Sequence, residues 1–445
     1  MSQTYDLIIK GGTVMLPQGA TQTDVGVRGG RIMAIGNLAA TAADETIDAT
    51  GLHVLPGVID TQVHFREPGG EHKEDLESGT RAAVMGGVTG VFEMPNTNPL
   101  TTSAEALTDK INRAAGRAWC NHAFYMGGTA ENAHELAEIE RTPGCCGIKV
   151  FMGSSTGNLL VPDDESLHAV LSHGMRRVAI HAEDEDRLIE RKRVAEESGD
   201  VHSHPDWRDD ETAIRATKRL LHQVRKTGRR VHLLHVTTAD EMALVTDHKD
   251  LVSVEATPQH LTLAAPDCYD RLGPFAQMNP PIREAHHRDG LWRALENGIV
   301  DIIGSDHAPH SAEEKQLPYP QSPSGMPGVQ TLLPIMLNHV AEGRLTLERL
   351  VDLVCTGPQR LFGIIGKGRV AVGYDADFTL VDLGQAREIT DDWIESKCGW
   401  TPFAGTTAKG WPRATIIAGR AVMREDELIG MATGQPMRFF ECDYL

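Results

Sequence analysis

His64 and Arg66 stand two residues apart, just after the apolar run Leu55-Pro56-Gly57-Val58-Ile59. An imidazole can ligate a borderline metal, and a guanidinium offers a rigid fork to a carboxylate. Together they predict a site that holds a metal and an anion at the mouth of a buried strand. If the strand continues through them, Gln62, His64 and Arg66 share one of its sides. Residues of matching chemistry recur far along the chain: Lys149 within Gly147-Ile148-Lys149-Val150-Phe151-Met152, then His181, His235 and Asp306. Imidazoles suit zinc, and Asp306 can serve as an oxygen ligand and as a proton acceptor. Lys149 is the odd member, because an ammonium beside a metal is repelled. It is either a charge-compensating neighbour or an N-carboxylated lysine whose anionic oxygens bridge two ions, and the residues leave both open.

These residues need a scaffold that gathers distant strand ends. Short apolar strands are predicted over 54–60, 88–94, 120–126, 147–152, 177–182, 231–236, 251–256 and 300–305. Amphipathic or charge-mixed helices are predicted between them over 74–86, 103–115, 164–174, 184–198, 209–228 and 238–248, with two more over 327–342 and 346–354. Strand and helix in alternation predict an α/β fold, a (β/α)8 TIM barrel, whose catalytic groups sit at the strand ends of one open face. His64, Lys149, His181, His235 and Asp306 all fall in or just after such strands. The proline-containing stretch 257–290 reads as an active-site loop. Short strands with Gly turns over residues 5–54 have a counterpart near 370–430, which predicts a small β-sandwich domain from both termini, residues 1–54 plus 366–445, around a barrel of residues 55–365.

Forty-three basic against sixty-two acidic residues give a formal charge of −19. That balance argues against nucleic acid as a partner, since a phosphate track needs clustered Lys and Arg. Arg191-Lys192-Arg193 and Arg225-Lys226 lie in charge-mixed helical surroundings and read as solvated faces. Seven scattered cysteines suit a reducing compartment. The opening residues lack a signal peptide's regions and no apolar run is long enough to cross a bilayer, so a cytoplasmic protein is expected. His202-Ser203-His204-Pro205 reads as a structural turn rather than a second metal site.

The words around these residues carry a resemblance. Val63-His64-Phe65-Arg66-Glu67-Pro68-Gly69, Met94-Pro95-Asn96-Thr97, His181-Ala182-Glu183 and Gly304-Ser305-Asp306-His307-Ala308-Pro309-His310 are similar to those of the cyclic amidohydrolases, and most closely of the long bacterial-type dihydroorotases. The resemblance covers nearly the whole chain. It implies a zinc centre of one or two ions on His64, Lys149 (carboxylated), His181, His235 and Asp306, with Asp306 as the catalytic base. It assigns a substrate carboxylate to Arg66, Asn96 and His310, and the ring amides to Asn279 in Met278-Asn279-Pro280-Pro281. The implied reaction is the reversible hydrolysis of L-dihydroorotate to N-carbamoyl-L-aspartate in pyrimidine biosynthesis. Gln62 departs from the pattern, standing where the resemblance expects a histidine, so the second metal subsite is in doubt. Two rival readings follow: a cyclic amidase of hydantoinase or allantoinase type, and a catalytically silent partner of aspartate transcarbamoylase. A homodimer is a further expectation of the resemblance.

Overall fold

The computed structural model describes residues 4–38, 41–155 and 159–440. Five strands open the chain: β1 (Tyr5–Leu16), β2 (Gly19–Arg28), β3 (Arg31–Gly36), β4 (Ala43–Asp48) and β5 (His53–Pro56). β1 pairs antiparallel with β2 and parallel with both β4 and β5. The apolar run expected as one strand over 54–60 in fact feeds two sheets. β5 stays in the first, while β6 (Val58–Val63) begins the second. Gly57 is the break: a Cβ there would lie 2.3 Å from Thr89 Oγ1, and its amide donates to the Asp377 carbonyl at 2.9 Å. Only a residue without a side chain lets the two sheets come so close.

The second sheet continues with β7 (Val88–Glu93), β8 (Asn121–Gly127), β9 (Cys145–Phe151), β10 (Val178–His181), β11 (Val231–Leu233), β12 (Val252–Ala256) and β13 (Ile302–Ile303). Among the described residues these eight strands, β6 to β13, pair in sequence order, each parallel to the next. The expected (β/α)8 barrel is therefore present. Its seam between first and last strands is closed beyond β13, by a parallel bridge between Val63 and His307 and by the His64 amide donating to the His307 carbonyl at 2.7 Å.

The helices that separate the strands start where a short polar side chain can accept their free amides. Asp75, Ser103, Asp163, Asp184, Asp209 and Thr238 each accept the N3 amide of the helix that follows. Buried Leu220, Val224, Leu291, Leu332, Leu333 and Met336 press such helices against the barrel's outer wall. Inside and below, Ile59, Phe92, Ala123, Tyr125 and Ala179 form an apolar layer with Phe362, Met437 and Phe439. Met437 and Phe439 belong to the last described stretch, which runs beneath the barrel. There His122 donates to Gln435 and accepts from Met437, both through backbone groups.

β14 (Phe378–Glu388), β15 (Thr407–Ile417), β16 (Arg420–Arg424) and β17 (Glu427–Leu428) complete the first sheet, with β14 antiparallel to β5. Residues from both ends of the chain thus share one sheet and one core of Leu7, Ile9, Val25, Val54, Phe378 and Ile416. The stretch expected as a long loop, 257–290, folds into short helices, including Pro258–Thr262 and Asp267–Leu272, before the helix Ala285–Glu296. Cys268, Tyr269, Met278 and Ile282 join it to a core shared with Tyr319, Met326 and Trp400. No described helix is long and apolar enough to cross a membrane.

Candidate active site

The barrel's open face carries a recess of about 340 Å³, mouth included, lined by Gln62, His64, Arg66, Asn96, Phe151, Ser155, His181, His235, Asn279, Asp306, Ala308, Ser324 and Gly325. The alternation expected for Gln62, His64 and Arg66 does not extend that far. β6 ends at Val63, and Arg66 adopts a left-handed φ of 63°. His235 and Asp306 also have positive φ, 35° and 47°. Non-glycine residues avoid this region, so three of them at one mouth mark backbone held in place by its surroundings.

Two histidines have their tautomers fixed from behind. His64 Nδ1 lies 2.8 Å from Asn96 Oδ1, and His181 Nε2 lies 2.8 Å from Glu183 Oε2. Each of those nitrogens must carry the proton, because its partner oxygen can only accept. The opposite nitrogen of each ring then turns a lone pair inward. His64 Nε2 faces Asp306 Oδ1 at 3.3 Å, and His181 Nδ1 faces His235 Nε2 at 3.1 Å. Burial lowers the pKa of His64 and His181, and that of His235 well below the ordinary value, which keeps the rings neutral and able to ligate. Lone pairs converging on an acceptor atom, in a pocket of neutral imidazoles, fit a cation between them.

Lys149 strengthens that fit. Its side chain is fully buried, and Nζ has no hydrogen-bond partner among the described residues; it sits 4.2 Å from the centroid of the Phe151 ring. The other two fully buried lysines are satisfied. Lys110 pairs with Glu93 and donates to the Met94 carbonyl, and Lys315 donates to the carbonyls of Gln277, Pro323 and Gly325. Desolvation brings the Lys149 pKa down to about 7, against the opposing pull of Asp306 and Glu255. Among the described residues, Gln62 Oε1 and His235 Nδ1, on two residues that line the recess, are likewise buried without partners. An orphaned amine, amide oxygen and imidazole nitrogen around one recess point to a group that satisfies them when present.

Gln62 is the departure. Its amide nitrogen donates to Asp306 Oδ1 at 2.9 Å, so it holds the carboxylate where a histidine would present a lone pair. Both this contact and that of His64 fall on Oδ1. Beneath Asp306, the Asp60 carboxylate accepts from the amides of Ser305 and Gln62, and burial raises its pKa to about 7.

Arg66 is buried; among the described residues its Nε donates to the Pro309 carbonyl at 3.2 Å and its Nη2 lies 3.3 Å from His310 Nε2, and neither contact is with a carboxylate. Desolvation lowers its pKa to about 10, so it stays charged. His310 is set by Ser324, whose carbonyl lies 3.0 Å from Nε2, and by Lys73, whose ammonium lies 3.1 Å from Nδ1. Gly325 has φ 136°, and a Cβ there would lie 2.5 Å from the Ala308 carbonyl, so this wall admits no side chain. Asn279 reaches the recess from the folded loop, with Oδ1 3.1 Å from His204 Nε2 and Nδ2 3.4 Å from Ser155 Oγ. All the residues expected at the site therefore line or adjoin one recess, and Asn96 has the added task of orienting His64.

Sequence reasoning gave no role to Glu183, Arg208, Phe151, Ser155 or His204. Glu183 was legible as part of the His181-Ala182-Glu183 word; Arg208, on a connecting segment, carried no signal. Burial opposes the ionisation of Glu183, but the charge of Arg208 and the bond from His181 outweigh it and hold its pKa near 2. Elsewhere, Glu284, His286 and His287 have donor atoms within 4.8 Å of one another. They are sequence neighbours on the outside of the barrel. Two are exposed, and His287 Nδ1 already accepts the Ala239 amide, so nothing there is left lacking a cation.

The family model described as "Amidohydrolase family" matches residues 53–422, and the chain belongs to that family. A dihydroorotase of Methanosarcina acetivorans is 33% identical over 438 residues, covering 95% of this chain and 93% of its own length. An allantoinase of Deinococcus radiodurans is also 33% identical, over 449 residues, covering 98% and 99%. Among solved structures, the L-hydantoinase (dihydropyrimidinase) from Arthrobacter aurescens superposes with a TM-score of 0.92 at 30% identity, covering 97% of this chain and 99% of that one. Enzymes named for three different cyclic substrates are thus about equally similar. The chain is a cyclic amidohydrolase by kinship, and its substrate must be argued from the recess.

Proposed function

We propose that the protein is a dihydroorotase, interconverting L-dihydroorotate and N-carbamoyl-L-aspartate. The observation that carries this reading is Arg66: a buried, charged guanidinium in the wall of the recess whose hydrogen bonds leave it without a carboxylate. Asp306, Glu93, Glu314 and Glu74 act on this buried charge only through space, and a substrate carboxylate would add the bidentate hydrogen-bonded contact that none of them makes. Dihydroorotate carries such a group; hydantoin and allantoin rings do not.

His64, His181, His235 and Asp306 would hold the metal, zinc by the character of its donors, with Lys149 as a further ligand once carboxylated. Carboxylation needs a neutral amine: the Lys149 nitrogen adds to carbon dioxide and releases one proton. A pKa near 7 supplies that neutral form. The metal contributes a Lewis acid for the scissile amide and its attacking water. Arg66, His310 and Asn96 fix the ring by its carboxylate, and Asn279 meets the ring amides, so that the correct carbonyl faces the metal-holding residues. Asp306 accepts the water proton and delivers it to the leaving ring nitrogen; in the ring-closing direction it takes the carbamoyl proton. Oδ1 accepts from Gln62 and faces the His64 lone pair, which leaves Oδ2 for that proton.

The test is metal content of the purified protein together with turnover of L-dihydroorotate, allantoin and hydantoin. Bound zinc with turnover of dihydroorotate alone is the expected result. Preference for an uncharged ring would establish the hydantoinase or allantoinase reading, which the similarity of those enzymes favours. No turnover of any of them after zinc and bicarbonate are supplied would leave the silent partner of aspartate transcarbamoylase.

A further inference from the structure

His181 is held from behind by a buried ion pair that the proposed chemistry does not use. Glu183 accepts from His181 on Oε2, and Arg208 grips the same carboxylate, with Nε 3.0 Å from Oε1 and Nη2 on Oε2. Both side chains are buried. An ionised oxygen at 2.8 Å from His181 Nε2 admits one tautomer, with the proton on Nε2. The alternative would set a lone pair against a negative charge and turn an N–H toward His235.

Arg208 also reaches two edges of the recess. Its Nη2 donates to the Ser154 carbonyl at 2.6 Å, next to Ser155, which lines the recess. Its own carbonyl accepts from Arg283 Nη1 at 3.0 Å, four residues past Asn279, and Arg283 is anchored in turn on Thr237 Oγ1. Its amide caps the short helix His204–Trp207, whose first residue supports Asn279. Arg208 thus touches the support of a histidine and the Ser154–Ser155 edge through its guanidinium, and the base of the Asn279 loop through its backbone.

We infer that Glu183 and Arg208 are positioning residues: Glu183 fixes His181 with its Nδ1 lone pair toward His235, and Arg208 ties that orientation to the two edges formed by Ser155 and Asn279. The metal part of this inference rests on the proposed role of His181 as a ligand; the tautomer part does not.

The test uses the full chain, stripped of metal and labelled with 15N-histidine, with the His181 signals identified by their loss in His181→Gln. Wild type is expected to show the Nε2–H tautomer. Glu183→Gln is expected to show a mixture and to bind zinc about 10- to 100-fold more weakly in chelator competition, the usual cost of losing a partner behind a metal ligand. Arg208→Lys keeps a charge beside Glu183 but cannot span three acceptors. It is expected to keep the tautomer while raising KM for the panel substrate that turns over by about tenfold, through misplacement of the Ser154–Ser155 edge, which Arg208 holds only through its guanidinium. An Nδ1–H tautomer in wild type, zinc affinity of Glu183→Gln within about twofold of wild type, or an unchanged KM in Arg208→Lys would overturn the inference. If Glu183→Gln does not fold, the wild-type tautomer and the Arg208→Lys KM still decide it. If wild type binds no zinc, the reading of the metal site fails, and the tautomer still decides the role of Glu183.

Discussion

The two ends of the barrel are built from the same eight strands and obey different rules. At the base, Phe92 meets Phe362, Phe439 and Tyr125 edge to face, with centroids 5.1, 5.7 and 6.0 Å apart. Among the described residues, two buried polar atoms there that lack hydrogen-bond partners, Tyr125 Oη and His122 Nε2, belong to neutral groups, since burial raises the Tyr125 pKa and pushes that of His122 down to about 4. At the mouth, three non-glycine residues have left-handed backbone, and the unpartnered atoms include those of Lys149, Asp60 and His235. One end is packed as a core, where every contact contributes to stability. The other holds strain and unsatisfied polar groups that make sense only with something bound. The contrast locates function without reference to any relative.

Breaking the mouth should cost activity and leave the fold. Asp306→Asn removes a charge and a proton acceptor at nearly constant volume, so turnover should fall by about 10²- to 10⁴-fold, the usual worth of general base catalysis, while the unfolding midpoint moves little. Near-normal turnover in the purified variant would remove Asp306 from this role. Arg66→Ala should lower kcat/KM for dihydroorotate by roughly 30- to 5000-fold, equivalent to about 2–5 kcal/mol for truncating one side of a buried charge pair. The same variant should leave any residual turnover of hydantoin unchanged, and an equal loss on both substrates would mean that Arg66 supports structure instead. Breaking the base should do the reverse. Phe92→Ala should destabilise by about 3–5 kcal/mol in urea unfolding, from lost transfer energy and the cavity left behind. Its folded fraction should keep near-wild-type kcat/KM. A large catalytic loss there would dissolve the distinction between the two ends.

The mouth was more legible in sequence than its supports. His64, Lys149, His181, His235 and Asp306 lie in or just after strands that show as apolar runs, because parallel strands in a barrel are buried on both faces. Such runs announce themselves. What failed was the edge of each element. The stretch 54–60 reads as one strand because apolarity does not tell which sheet a residue joins, and only the contact of Gly57 with Thr89 does. Side-sharing of Gln62, His64 and Arg66 assumed an extended backbone, which the turn at Arg66 ends. Arg208 was invisible, since its partners Glu183, Ser154 and Arg283 lie 25 residues or more from it along the chain or bind through backbone atoms that every residue has.

Gln62 offers the finest probe of the mouth, because it sits in the strand wall and changes neither charge nor fold. Its amide donates to Asp306 Oδ1, and its own oxygen is orphaned, so it acts as a hydrogen-bond brace where an imidazole would add a lone pair. A neutral amide is a weak ligand for zinc, so in the proposed centre His64 and Asp306 would hold one side with little help. Gln62→His should therefore raise the zinc bound per chain toward two while changing the unfolding midpoint little, read by elemental analysis after dialysis against a fixed free zinc concentration. The ring must replace a hydrogen bond to the base, so the gain in metal need not bring a gain in turnover. Should the variant bind no more zinc than wild type, the wall at position 62 does not limit the centre, and the brace on Asp306 would be the sole task of Gln62.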